Sequence, residues 1–291
     1  MQCTVAGLNI DIISEHPSYL FIRLKDYKRT FSGQADFTIR CKENENISLP
    51  DGFVHIGERV GRWLWIKKKD GTLGAYIKYD DLENVAAYVS WDEDFKNIEL
   101  EVLDVEPFGG MPIEQRMFYL LGDVFTYTVL SQGAGVFHSS AISYKGSGIL
   151  LSAPSGTGKS THASLWIDAF GEDVVHFNDD TPVLKIENDA VYAYGTPWSG
   201  KTAINKNLKV PLKAIVCLDR AENNSVKRLL GLDAFYRVFN EFRKPPEGGL
   251  LDNCLNLIEG VLDKVPVYEL LCNKEQEAAY TLHKALGFDK N

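Results

Sequence analysis

The chain has 291 residues, of which 45% are hydrophobic and 24% charged, proportions typical of a globular protein and unlike those of a disordered or fibrous one. Its formal net charge of −9 argues against nucleic acid as the main partner, because a phosphate backbone attracts a surplus of lysine and arginine. A chain of this length accommodates one large domain or two ordinary ones.

The cysteine content and the hydropathy of the chain indicate the cellular compartment in which the protein is expected. The N-terminus mixes polar and apolar residues, so it lacks the apolar core of a signal peptide, and no stretch approaches the roughly 20 apolar residues of a membrane span. None of the cysteines forms a C-x-x-C pair, so neither a zinc site nor a disulfide framework is indicated. We therefore expect a cytoplasmic protein without a membrane partner and with five free thiols: Cys3, Cys41, Cys217, Cys254 and Cys272.

Residues 1–106 predict a small β-rich domain. Short runs of β-forming residues alternate with turn residues, and the clearest hairpin turns at Asp70-Gly71. The predicted strands cover 20–24, 35–39, 62–66 and 73–77. No stretch of helical period precedes 107–112 (PFGGMP), which is typical of a linker.

Residues 107–291 predict a second domain in which helices and strands alternate. Helices are expected where apolar residues recur at i, i+3, i+4 and i+7, as at Ala163, Trp166, Ile167 and Phe170. The predicted helices cover about 113–130, the segment around 163–170, 235–242, 250–262 and 275–286. The predicted strands cover 137–144, 149–151, 174–177, 183–186, 191–194, 214–218 and 267–271. This order indicates an α/β domain with a mixed sheet.

The strongest functional motif is a glycine-rich loop at 153–161, APSGTGKST. In a Walker A loop, glycines turn backbone N–H groups toward phosphates, a lysine neutralises their charge, and the next hydroxyl ligates Mg²⁺. An apolar strand precedes this loop and an amphipathic helix follows it, as the motif requires. Ala153 takes the place of the first glycine, where a positive φ would be strained. We predict nucleoside triphosphate binding by Ser155, Gly156, Thr157, Gly158, Lys159, Ser160 and Thr161.

Two adjacent carboxylates, Asp179 and Asp180, follow the next apolar strand. A phosphate-loop enzyme needs a carboxylate near its metal, and a kinase also gains from a base near the acceptor hydroxyl. Because like charges repel, ionisation of both carboxylates is disfavoured unless a cation lies between them. The alternative is an exposed acidic turn before Thr181-Pro182.

His138 stands on the strand before the loop. A turn at Gly146 could return the chain so that His138 lies beside the phosphates, where it could contact the γ-phosphate or a metal. The alternative is a structural histidine.

These three elements, in this order, resemble the superfamily of HPr kinase/phosphorylase and phosphoenolpyruvate carboxykinase. There, a histidine-containing strand precedes the phosphate loop and an Asp-Asp pair follows the next strand. The fragments 138–141 (HSSA) and 155–161 (SGTGKST) look close to carboxykinase signatures. The chain length and the short span from loop to Asp-Asp pair are more similar to bacterial HPr-kinase-like proteins, and among these to the small stand-alone kinases of peptide-modification clusters. The match covers about residues 134–201.

The resemblance implies a carboxykinase-like P-loop domain that follows the β-rich domain. It also implies that Lys159 and the loop amides bind phosphate and that Ser160 binds Mg²⁺, or Mn²⁺ in its place. Asp179 is then the general base toward a serine hydroxyl, Asp180 is directed to the metal, and His138 contacts phosphate or metal. The two aspartates can exchange roles, since adjacency does not decide between them. Oligomers are common in the family, so a homo-oligomer is an open alternative.

Three further candidates are weaker. Trp198 and Lys201 belong to a Gly/Pro loop, 195–201, where the ring could stack on a base or line an acceptor pocket and the cation could reach phosphate. Arg220 ends a predicted strand and could stabilise transition-state charge. An ordinary turn and a surface arginine are the respective alternatives.

The leading hypothesis is a Mg-ATP-dependent kinase that phosphorylates a hydroxyl, with serine preferred, on a small protein, a peptide or a small molecule. One alternative is a phosphoenolpyruvate carboxykinase-type enzyme, which would need a dicarboxylate pocket and a second metal. Another is a nucleotide-binding sensor or assembly factor without phosphotransfer. A GTPase is disfavoured because 205–208 (NKNL) lacks the aspartate of N-K-x-D. The acceptor, and the choice between ATP and GTP, stay open.

Overall fold

The computed structural model describes residues 1–78, 84–104, 111–154, 156–200 and 202–290. Two compact units account for them: Met1–Gln132 with Lys244–Asn253, and Gly133–Arg243 with Cys254–Asn291. The predicted linker lies largely at 105–110, outside the described residues. The described helices include none that is long and apolar enough to cross a membrane, and all five cysteines are free thiols, as predicted.

The first unit is built on an eight-stranded mixed sheet. Its spatial order is β1-β2-β3-β8-β7-β6-β5-β4, in which β2, β3 and β8 are parallel neighbours and the remaining pairs are antiparallel. The predicted hairpin is present as β5 and β6. The strands are β1 (Gln2–Val5), β2 (Leu8–Ser14), β3 (Phe37–Asn44), β4 (Val54–His55), β5 (Leu64–Lys67), β6 (Leu73–Ile77), β7 (Ala87–Trp91) and β8 (Asn97–Leu103).

The strand predicted at 20–24 is wrong. Residues Pro17–Arg23 form helix α1, followed by a 3-10 turn at Lys25–Tyr27. Proline is well suited to the first helical turn, because its missing N–H would have no partner there. Leu20 and Leu24, four residues apart, are buried, whereas Phe21 and Ile22 between them are exposed. That burial has the period of a helix and not the alternation of a strand.

Helix α2 (Ile113–Thr128) confirms the helix predicted after the linker. It belongs to the first unit because it packs on the aromatic residues of the first sheet. The indole Nε1 of Trp63 donates to Asp123 (3.0 Å), and that of Trp91 donates to Thr128 (2.9 Å). The first compact unit therefore extends to Gln132 and does not end at residue 106. The boundary at 106 stays a prediction about independently folding domains.

The second unit contains a nine-stranded mixed sheet, as the α/β prediction required. Its order is β12-β10-β11-β15-β14-β13-β9, and β17 joins β15 while β16 joins β17. The strands β11, β15 and β17 are parallel neighbours. The strands are β9 (Ala134–Val136), β10 (Ser139–Tyr144), β11 (Ser147–Ser152), β12 (Val174–Asp180), β13 (Val183–Glu187), β14 (Ala190–Tyr194), β15 (Lys209–Arg220), β16 (Ser225–Leu229) and β17 (Val267–Cys272).

Four more helices follow: α3 (Lys159–Phe170), α4 (Gly231–Glu241), α5 (Gly249–Lys264) and α6 (Glu277–Ala285), with 3-10 turns at Val129–Gln132, Gly171–Asp173 and Phe288–Lys290. Trp166 of α3 and Leu282 of α6 pack in one core with Ile149, Leu151 and Val216 of the sheet. This packing fixes α3, and with it the start of the helix at Lys159, against the ends of the central strands.

Candidate functional site

The phosphate loop connects the end of β11 to the start of α3. Gly156 has φ +80° and Gly158 has φ +129°, conformations that a side chain would strain. Ala153 is not among the described non-glycine residues with positive φ, so its methyl group causes no strain there. Gly158 is the N-cap residue of α3 and has no side chain to bond to the first N–H groups of the helix. The helix N-terminus is therefore available to an anion. Ser155 lies outside the described residues.

Lys159 and His138 lie in contact. The ammonium of Lys159 donates to the carbonyl of Ala153 (2.8 Å) and lies 3.2 Å from Nε2 of His138. On the other side of the imidazole, Nδ1 lies 2.8 Å from the carboxylate of Glu241. Because Nδ1–H donates to that carboxylate, Nε2 is left to accept from Lys159.

The charge of Lys159 reflects two opposing influences. Burial lowers the pKa of its ammonium, while the carboxylates of Glu241, Asp180 and Asp179 partly offset that effect. These three carboxylates therefore help to keep a half-buried cation charged at the loop.

The two aspartates have different surroundings. Asp179 is buried, and its carboxylate accepts from the hydroxyl of Ser160, with both oxygens at 2.9 Å, and from the hydroxyl of Ser140. Asp180 is one-third exposed, and its Oδ1 lies 3.5 Å from Nε2 of His138. One aspartate thus faces the hydroxyl after the lysine, and the other faces the histidine.

A β-bulge in β12 aims Asp179 at the site. Asn178 pairs with Ala141 and His176 pairs with Ile142, so Phe177 is an extra residue in the ladder. In a regular strand, residues 176 and 179 would point to opposite faces. With the bulge, Nε2 of His176 lies 3.7 Å from Oδ1 of Asp179. Burial lowers the pKa of His176, and Asp179 raises it in part.

The loop after β14 packs against the aspartate pair. The buried amide of Asn178 donates to the carbonyls of Thr196 and Trp198, at 3.0 Å each. Gly200 has φ +58°, and a Cβ there would meet the Cβ of Asp180 at 3.1 Å. The close approach therefore needs glycine at 200. Trp198 is buried, and Lys201 lies outside the described residues.

Arg220 also contacts the phosphate loop. Its guanidinium donates to the carbonyl of Thr157 (3.0 Å) and to that of Gly156. It therefore reaches the backbone of the loop from the end of β15.

The sequence interpretation missed three residues of this site: Glu241, Ser140 and Asn178. Ser140 and Asn178 stand beside predicted residues, but nothing local distinguishes a hydroxyl or amide that bonds across a sheet from one that faces water. Glu241 is 103 residues from His138, and only the fold brings them together.

The oxygen atoms at this site suit a divalent cation that is also bound by phosphate. The described residues contain no group of three or more His, Cys, Asp and Glu side chains that could hold a metal alone. Mg²⁺ commonly binds one or two carboxylates, a hydroxyl, phosphate oxygens and water. The hydroxyl of Ser160 beside the carboxylate of Asp179 supplies oxygen ligands of that kind.

No family model matches the chain, and no curated protein matches it. Among solved structures, it is similar to the Hpr(Ser) kinase/phosphatase from Coxiella burnetii, with a TM-score of 0.32 and 12% identity. That similarity covers 54% of this chain and 99% of the other. At this TM-score, nothing about the function of the chain follows from the likeness.

Proposed function

We propose that this chain is a Mg-ATP-dependent kinase that transfers the γ-phosphate to a hydroxyl, with serine as the expected acceptor, and that its second unit is a carboxykinase-like P-loop domain. The observation that carries the proposal is the convergence of His138, Lys159, Asp179 and Asp180 at one end of a strand–loop–helix. Phosphoryl transfer needs little covalent help from protein. It needs charge stabilisation and a positioned nucleophile, and these groups are suited to both.

Lys159 is assigned to the phosphates. Its cation lies at the N-terminus of α3, between the Ala153 carbonyl and His138, where the loop amides and the helix dipole also favour an anion. His138 is assigned to the transferred group, because Glu241 fixes its ring by Nδ1 and leaves Nε2 beside the lysine.

We assign the general base to Asp180 and the metal-directed role to Asp179, the reverse of the roles that the resemblance implied. Asp179 is buried and its oxygens accept from two serine hydroxyls, so it has little access to an incoming acceptor. Asp180 is more exposed and faces the histidine. A general base must reach the proton that it removes, which favours the more accessible carboxylate.

Mg²⁺, when bound, would neutralise charge on the β- and γ-phosphates. Ser160 and Asp179 would hold it together with phosphate oxygens and water. The bound cation would also reduce the mutual repulsion of the aspartate pair.

The test is transfer from γ-labelled ATP to a serine-containing peptide library and to proteins of a lysate, with nucleotide affinity measured in parallel. Asp180→Asn is expected to slow transfer by about 10²- to 10⁴-fold at unchanged ATP affinity. Asp179→Asn is expected to weaken Mg²⁺-dependent ATP binding. Asp173→Asn, at an exposed site before the same strand, is the matched control and should change neither.

Other outcomes would overturn the assignment. If Asp179→Asn alone lost transfer while ATP binding survived, the two aspartate roles would be exchanged. If the wild type bound ATP but labelled nothing, water included, a sensor or assembly factor would replace the kinase. If oxaloacetate and ATP gave phosphoenolpyruvate, the chain would be a carboxykinase.

A further inference from the structure

A cleft of about 220 Å³ opens beside the phosphate loop. The loop residues Gly156, Thr157 and Gly158 form one wall, and none of the four converging side chains of the kinase site lines it. The other walls come from α3, from the end of β15 and from the segment after β17, and include His162, Leu165, Leu218, Arg220, Cys272 and Lys274.

The position of the cleft follows from the sheet. Strands β11, β15 and β17 run parallel as neighbours, so their carboxyl ends meet at one edge. The phosphate loop follows β11, Arg220 ends β15 and Cys272 ends β17. In open α/β sheets, ligands bind in the crevice outside the carboxyl ends of the strands. The cleft therefore lies where this topology favours a ligand that also touches the loop.

A buried histidine adds an independent indication of a ligand. His162 lines the cleft and is 2% exposed. Its Nε2 accepts from the indole of Trp166 (3.3 Å), which leaves the proton on Nδ1. That Nδ1 has no hydrogen-bond partner in the described part of the chain. A buried donor without an acceptor is uncommon in native proteins.

We propose that this cleft takes the nucleoside part, base and ribose, of the triphosphate whose phosphates lie on the loop, and that Nδ1–H of His162 donates to an acceptor atom of that nucleoside. The inference rests on the proposed function. A volume of about 220 Å³ is below the roughly 300–1,000 Å³ of pockets that enclose whole small ligands, which suits part of a nucleotide.

The chemistry of the walls fits such an occupant. Leu165 and Leu218 offer apolar surface to a base or ribose, and the guanidinium of Arg220 offers a cation at the rim, where it can stack on an aromatic ring. In this proposal Arg220, and not Trp198, stacks on the base. Trp198 is buried, and its carbonyl accepts from Asn178 on the aspartate side of the site.

The experiment compares ATP with inorganic tripolyphosphate, which carries the phosphates without the nucleoside. Calorimetry with Mg²⁺ gives the ratio of the tripolyphosphate Kd to the ATP Kd, which measures the contribution of the nucleoside. Leu165→Trp, which fills the cleft, is expected to lower this ratio about tenfold or more, and His162→Phe about fivefold. Ile167→Trp, an exposed position on the same helix, should leave it unchanged. Leu165→Phe replaces Leu165→Trp if the larger ring prevents folding.

An unchanged ratio in the folded Leu165 variant would overturn the cleft as the nucleoside site. An unchanged ratio in His162→Phe alone would overturn the hydrogen bond. A wild type that binds tripolyphosphate as tightly as ATP would also overturn the inference, because its nucleoside would then contribute nothing. If the wild type bound neither ligand, the proposed function would fail instead.

Discussion

The interiors of the two units differ in what they bury. Among the described residues, the buried polar side chains of the first unit are Thr126 and Thr128, and each hydroxyl donates to a carbonyl four residues earlier in α2. In the second unit, buried polar groups gather on β10 and β12, among them Ser140, Asn178 and Asp179. Burying polar groups costs free energy unless they are hydrogen-bonded. Their concentration on β10 and β12 therefore indicates a function beyond stability.

The first unit instead buries aromatic rings. Trp65 and Trp91 stack with their ring centroids 5.4 Å apart and their planes 2° from parallel, and Tyr127 packs edge-on against Trp65 at 4.8 Å. This core contributes apolar surface and close packing. We therefore expect substitutions in the core of the first unit to change mainly the stability, and substitutions at the buried polar groups of the second unit to change mainly the catalysis.

The largest expected effect is at Lys159. Lys159→Met removes the cation at the loop, and phosphate transfer should fall by about 10³-fold or more, whereas the free energy of unfolding should change little, because burial already penalises this charge. Transfer assays and urea unfolding test both expectations. Lys145→Met, at an exposed site in the same unit, is the control. If Lys159→Met lost stability as well as transfer, the expected difference between the two units would be wrong.

The second expected effect belongs to the first unit. Trp91→Phe removes buried volume and the hydrogen bond to Thr128, so the unfolding free energy should fall by about 2–4 kcal/mol, while kcat of the folded protein stays near the wild-type value. A double-mutant cycle with Thr128→Val separates the hydrogen bond from the packing and should give a coupling of about 0.5–1.5 kcal/mol. A large loss of kcat would show that the first unit takes part in the chemistry.

The third concerns pH. Burial lowers the pKa of His162 to about 4, against 6.5 for an ordinary histidine. The unfolded chain therefore binds the proton first, so the stabilisation is present above about pH 6.5 and is lost as pH falls toward 4. Between pH 7 and pH 5 the loss should be about 2 kcal/mol in the ligand-free protein. Urea unfolding of wild type and His162→Gln at both values measures it, and equal slopes for the two proteins would contradict it.

The smallest effect is expected at Glu241, a positioning residue. Glu241→Gln keeps the shape but weakens the bond to Nδ1 of His138, so kcat should fall about tenfold, as expected for one charge-assisted hydrogen bond of roughly 1.5 kcal/mol. KM for ATP should stay constant, because Glu241 orients His138 and does not belong to the phosphate loop. Glu259→Gln, on α5, is the control. An unchanged kcat in the folded variant would leave Glu241 with a structural role only.

The local parts of this site were predictable and the long-range parts were not. The phosphate loop is a contiguous pattern between a strand and a helix, so its position between β11 and α3 followed from the sequence. Glu241 and the Phe177 bulge depend on contacts between distant segments, which no short motif carries. The strand predicted at residues 20–24 was wrong because β-forming residues there lie in a helix that begins at Pro17 and has the burial pattern of a helix. The loop roles of Ser155 and Lys201 stay predictions.

The bulge in β12 has a consequence for how this protein can change. It depends on the number of residues between His176 and Asp179 and not on the identity of Phe177. Deleting Phe177 would make the ladder regular and would leave His176 and Asp179 two residues apart, so the carboxylate of Asp179 would stay opposite Ser140 on the same face of the sheet. We therefore expect that loss of the codon for Phe177 would leave the metal-directed carboxylate beside the loop, so the length of this strand can vary by one residue without loss of the site.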